Sequence, residues 1–200
     1  SPGIGFLLAF FFMKAIPGWL ANRPYQHTIA HFRILQTFSA AAMALGHGLQ
    51  DAQKTMGIIV MALLAGGYGE THNIFDAATG EMTIPLWVKL AAATAISFGT
   101  YSGGYRIMKT LGSKMIDLDP ARGFVAETVA AGVLYTAAYA LHAPISTTQT
   151  ITASILGVGA TKRLSAVRRS VTGNIMVAWA LTLPAAAAVA AIMYFSFHAI

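Results

Sequence analysis

The chain has 200 residues, of which 56% are hydrophobic and only 10% charged, against about 45–50% and about 25% in soluble domains of average composition. That balance excludes an ordinary water-soluble globule, because so few charges cannot cover the surface of a chain this size, and lipid must be the solvent for much of it. The 13 Lys and Arg exceed the 7 Asp and Glu, but they sit between apolar runs with no aromatic-interleaved patch, so they read as topology signals rather than nucleic-acid contacts.

In chain order, Ser1-Pro2-Gly3 is unlike the Met and charged region that open a signal peptide, which suggests a piece of a longer polypeptide. Gly3–Leu20 is a first candidate span. Asn22–Arg33 reads as a polar link containing Arg23, His27, His31 and Arg33. His27 and His31 stand four apart there, and in an interfacial link they read as a surface feature rather than a metal site. Leu35–Ala65 is apolar but too long for one simple span, and Gly46-His47-Gly48-Leu49-Gln50-Asp51 predicts an interruption near its middle. Gly67–Glu81 is a loop carrying Glu70, Asp76 and Glu81. Leu86–Tyr105 is the next span, with Lys89 near enough to one end to snorkel.

Arg106–Arg122 is a charged loop with Lys109, Lys114, Asp117 and Asp119. Gly123–Leu141 is a span with a single carboxylate, Glu127. After His142-Ala143-Pro144, the run Ser146–Val158 is short for a full crossing, so a re-entrant hairpin and a second crossing both remain open. Thr161–Arg169 is a basic loop. Val171–Ser196 then contains no Asp, Glu, Lys, Arg or His, and it is longer than the roughly 20 residues that cross a hydrocarbon core. Alternating the loops from side to side gathers the Lys and Arg on one face, which the positive-inside rule makes cytoplasmic. The expected fold class is all-α: a polytopic membrane protein with broken helices and a re-entrant hairpin. Residues 1–200 form one transmembrane domain with no soluble domain.

Three features carry chemistry. His47, Gln50, Asp51 and Lys54 share one helical face. Asp51 and Lys54 either neutralise each other as an internal pair or hold an ion or substrate, since ionisable groups within a span usually face a partner or a water-filled path. Pro144 ends an incoming helix, and Ser146 or Thr147 is a natural N-cap for the next. Such an end offers free N–H groups, partial positive charge and hydroxyls, which at membrane depth suits an oxyanion; the same hydroxyls could instead merely satisfy a broken backbone. Glu127 is either a snorkelling end residue or a carboxylate for a coupling Na⁺ or H⁺. The chain has no cysteine, which excludes disulfides, iron–sulfur clusters and thiolate zinc sites. No nucleophile–base pair, metal-ligand cluster or phosphate-binding loop suggests an enzyme, and no cofactor is expected.

Together these segments resemble the inorganic phosphate transporter (PiT) family. His47-Gly48-Leu49-Gln50-Asp51-Ala52-Gln53-Lys54-Thr55-Met56-Gly57 is similar to the second copy of its signature, usually His-Gly-x-Asn-Asp. Pro144-Ile145-Ser146-Thr147-Thr148 resembles its Pro-Val-Ser-Thr-Thr-His motif. Glu127, Gly157-Val158-Gly159-Ala160-Thr161-Lys162-Arg163 and Trp179 fit as well. The resemblance covers nearly the whole chain and implies the carboxyl-terminal half of a symporter built from inverted repeats, coupled to Na⁺ or H⁺, with phosphate held near the midplane.

Carried over by position, Gln50, Asp51, Ser146, Thr147 and Thr148 would bind phosphate, while Asp51, Glu127 and Gln149 would serve the coupling cation, with no metal beyond a Na⁺ site. Two positions depart from the pattern. Gln50 replaces Asn, moving its amide by about one bond length, and Gln149 replaces a His that could titrate near neutral pH. The implied partners are inorganic phosphate, membrane lipid and an amino-terminal half, with a homo-oligomer compatible. The implied location is a cell membrane, multi-pass, in a bacterium the inner one. A sulfate permease on the same scaffold and a non-transporting membrane subunit are the alternatives.

Overall fold

The computed structural model describes residues 1–20, 25–69, 71–72, 74–75, 82–111, 115–161 and 169–198. Within them lie six α-helices: α1 (Pro2–Leu20), α2 (Tyr25–Ala65), α3 (Leu86–Lys109), α4 (Pro120–Tyr135), α5 (Thr147–Ala160) and α6 (Arg169–His198). A π-helical segment, Thr136–Ala140, prolongs α4. The fold is all-α, with one isolated antiparallel bridge between Phe75 and Met82 among the described residues. Two stretches, Pro120–Ala140 and Ser170–Ser196, are long and apolar enough to cross a membrane by length and composition.

The expected break in the signature region is absent. α2 runs for 41 residues without interruption, about 60 Å at 1.5 Å per residue. Gly46 and Gly48 each weaken a helix by about 1 kcal/mol relative to Ala, yet long helical arms on either side hold the register. Gly46 is also buried against Leu134 and Tyr135 of α4, where a Cβ would sit in ordinary van der Waals contact with Leu134 at 3.5 Å. The glycine sits inside this helix–helix contact, and the chain stays helical through it. The expected polar link Asn22–Arg33 is correspondingly shorter, because α2 already begins at Tyr25.

The interruption falls instead between α4 and α5. Asp119 caps α4 by accepting a hydrogen bond from the Arg122 N–H at 2.9 Å, and Pro120 takes the first helical position. At the other end the hydrogen bonding widens, with the Leu141 N–H donating to the Thr136 carbonyl at 3.1 Å. His142 then takes a left-handed backbone conformation, φ 48°, which His tolerates better than most residues. Ser146 is the N-cap of α5, accepting from the Gln149 N–H at 3.3 Å. The outcome is a helical hairpin, α4–α5, whose tip is residues 141–146.

Small residues pack the hairpin. A Cβ on Gly5 of α1 would meet the Ser154 hydroxyl of α5 at 3.0 Å, and one on Gly157 would run into the Phe6 carbonyl. In lipid, where no hydrophobic force draws helices together, such close approach supplies the packing. Ala9, Met13, Met115, Ile116, Val125 and Val158 bury a cluster at the end away from the tip. Phe32 of α2 stacks obliquely on Phe124 of α4 at that same end, centroids 5.7 Å apart. We expect Gly157→Ala to destabilise the detergent-solubilised full-length protein by about 1–3 kcal/mol, as is typical of overpacking, seen as a lower thermal midpoint. Gly173→Ala, in open space on α6, should leave the midpoint within a degree or two.

Glu70, Asp76 and Glu81 of the acidic loop, Arg23, Lys114, the His27 side chain and residues 162–168 of the basic loop lie outside the description. That last stretch includes Lys162 and Arg163 of the glycine-containing motif.

Candidate functional site

The tip of the hairpin meets the middle of α2. The Asp51 carboxylate lies 3.5 Å from His47 Nε2 through one oxygen and 3.4 Å from Lys54 Nζ through the other. Four and three residues away on the same helix, these two groups share its face, as the periodicity predicts. From the hairpin, Thr147 Oγ1 sits 3.5 Å from Asp51 Oδ1. Thr147 is 3% exposed. The first turn of α5 therefore brings a buried hydroxyl, with the free N–H groups and partial positive charge of a helix start, to a half-buried carboxylate.

Gln50 lies beside the same contact. It is 1% exposed, and both ends of its amide are engaged. Nε2 donates to the Leu134 carbonyl at 3.3 Å, and Oε1 accepts from the Ile145 N–H at 3.4 Å. In this structure its side chain ties α2 to α4 and to the hairpin tip. Lys54 reaches the tip too, donating to the Ile145 carbonyl at 2.6 Å. The sequence identified Lys54 as a partner for Asp51 but gave no sign of this second bond, because Ile145 is 91 residues away.

Ser146 serves as the cap, and its carbonyl accepts from the Thr150 hydroxyl at 2.8 Å. Thr148 is exposed and lines a cleft of about 320 Å3 with His47, Gly99, Thr100 and Gly103, between α3 and α5. A second cleft of about 500 Å3 is lined by Gln53, Lys54, Gly57, His142 and Pro144. Gln149 donates its backbone N–H to the cap.

Glu127 is not brought to Asp51. It accepts a hydrogen bond from Ser39 Oγ at 2.6 Å, and Ser39 precedes Asp51 on α2 by about 18 Å of helical rise. It is a separate polar contact between α2 and α4. No local pattern marks Ser39 as its partner, since the two are 88 positions apart. Nearby, Tyr135 donates its hydroxyl to the Ala42 carbonyl at 2.9 Å, a further tie between the same helices.

Apolar helices thus surround a half-buried carboxylate and a capped helix start, and comparison with known proteins places this arrangement among membrane transporters. The chain belongs to the phosphate transporter family, whose model matches residues 1–190. It is 47% identical over 98% of its length to a protein of Rhizobium meliloti (strain 1021) named a probable low-affinity inorganic phosphate transporter, of which it covers 56%. A protein of the same name from Bacillus subtilis (strain 168) is 38% identical, again over 98% of this chain and 56% of the relative. One from Mycobacterium leprae is 40% identical over 93% of this chain and 44% of the relative. The chain thus spans about half the length of these relatives. No solved structure matches it.

Proposed function

We propose that this chain forms the carboxyl-terminal half of a cation-coupled symporter for inorganic phosphate in a cell membrane. The observation that carries the proposal is the approach of Thr147 Oγ1 to Asp51 Oδ1 at the capped start of α5. Hydroxyls and amides of Ser146, Thr147 and Thr148 would take the oxyanion, and Asp51 would accept a hydrogen bond from a protonated phosphate oxygen or hold a Na⁺ or H⁺ beside it. Family membership and the names of the relatives support phosphate as the substrate.

The returning arm of the hairpin is too short for a full crossing, whereas its first arm, Pro120–Ala140, is long enough for one. α5 has 14 residues, about 21 Å of rise against a core of about 30 Å. The tip contacts α2 at Lys54, and α2 continues to Ala65, about 16 Å further on. The tip would then lie near the midplane. The rest of the transporter, in an inverted arrangement, would complete the site, and Glu127 with Ser39 would act at a distance from it.

Uptake of labelled phosphate into proteoliposomes containing the full-length protein tests the substrate. Unlabelled phosphate is expected to compete more strongly than sulfate, because sulfate at neutral pH has no proton to donate to Asp51. Stronger inhibition by sulfate would make this a sulfate permease on the same scaffold. Imposing a Na⁺ gradient or a pH gradient separately should accelerate uptake under one of them; indifference to both would remove the coupling.

A further inference from the structure

Ile145 is gripped from two sides. Its N–H donates to Gln50 Oε1 at 3.4 Å, and its carbonyl accepts from Lys54 Nζ at 2.6 Å. Gln50 and Lys54 are one turn apart on α2, so a single stretch of helix surface satisfies both polar groups of one tip residue. The residue so held lies between Pro144 and the N-cap Ser146. Gln50 reaches further, through Nε2, to the Leu134 carbonyl on α4. One amide thereby joins α2, α4 and the tip.

Backbone groups at an irregular segment deep in lipid must find partners within the protein. Pro144 cannot donate, and the chain around His142 is turned out of helical geometry. Ile145 is the point where the returning chain has to be fixed before α5 can start.

We infer that Gln50 and Lys54 form a clamp on Ile145 that sets where the Ser146–Thr148 donors stand relative to Asp51. Lys54 is then a positioning residue that acts through the tip, and Gln50 is its second jaw rather than a phosphate ligand. The clamp also accounts for Gln at a position where the resembling family usually has Asn. An Asn amide, shorter by a methylene, would not reach from α2 to both the Ile145 N–H and the Leu134 carbonyl. The cation on Lys54 has a second use beside the tip, facing Asp51 Oδ1 at 3.4 Å, so it keeps the carboxylate oriented toward Thr147 while holding the backbone.

The inference rests on the phosphate-transport proposal for its kinetic consequences but not for its structural one, and the test separates them. Full-length protein carrying Lys54→Met, Lys54→Arg or Gln50→Asn is compared with the parent in two measurements. One is initial-rate uptake of phosphate in proteoliposomes; the other is backbone hydrogen exchange of Leu141–Ser146 without phosphate.

Lys54→Met is expected to raise KM about tenfold or more, the scale of losing a hydrogen bond from a charged donor, with exchange at the tip accelerated about tenfold. Lys54→Arg, which keeps a donor and the charge, should bring both values back to within about threefold of the parent. Gln50→Asn should accelerate tip exchange in the same way, and it carries the test alone if Lys54→Met does not insert. Unchanged tip exchange in Lys54→Met and Gln50→Asn overturns the clamp, and so does a raised KM with unchanged exchange, which would mean that Lys54 touches the substrate directly. Should the parent take up no phosphate while its tip exchange responds as described, the transport proposal fails and the clamp stands.

Discussion

Replacing Asp51 by Asn in the full-length transporter should reduce phosphate uptake by roughly thirtyfold to a thousandfold, the range for removing one member of a partly buried charge cluster. The carboxylate has His47 on one oxygen and both Lys54 and Thr147 on the other. Asn keeps the shape but loses the charge that balances Lys54, and it presents one acceptor instead of two. A protonated phosphate oxygen or a coupling cation would lose its partner at the same point. The variant should still be found in the membrane at near parental amounts, because the α2–α4 contacts at Ser39, Ala42 and Gly46 are untouched. Normal uptake by Asp51→Asn with disturbed assembly would instead identify a structural subunit.

Thr147→Val should raise the KM for phosphate about tenfold with little change in stability. Val has the shape of Thr without the hydroxyl, and the site is buried, so the change removes one hydrogen-bonding group without opening a cavity. The Thr147 hydroxyl faces Asp51 rather than its own helix. Combining Thr147→Val with Asp51→Asn should then cost little more than Asp51→Asn alone, as expected for groups acting on the same ligand. Fully additive losses would place the two residues in separate functions.

The parts of the fold that could be read from the sequence are those with a local cause. Pro144 followed by Ser146 announces the end of one helix and the cap of the next, and the structure has Ser146 in that role. The uncharged run Val171–Ser196 announces α6. The common face of His47, Asp51 and Lys54 follows from helical spacing alone, and the distances agree.

What could not be read depends on partners far away in the chain. Gly46-His47-Gly48 resembles a breaking point when taken alone, and only the packing of Gly46 on Leu134 and Tyr135 shows why the helix holds. Gln50 and Glu127 are both polar residues in apolar surroundings, which marks them as important without saying for what. One turned out to join helices to the hairpin tip, and the other to bond Ser39 well away from Asp51. No periodicity encodes such long-range contacts.

The most direct test is a structure of the full-length protein with phosphate bound. A tetrahedral ion is expected within hydrogen-bonding distance of the Ser146–Thr148 hydroxyls or amides at the start of α5, with Asp51 across from it directly or through a cation. An anion held elsewhere, with residues 146–148 turned to lipid and apart from Asp51, would contradict the site.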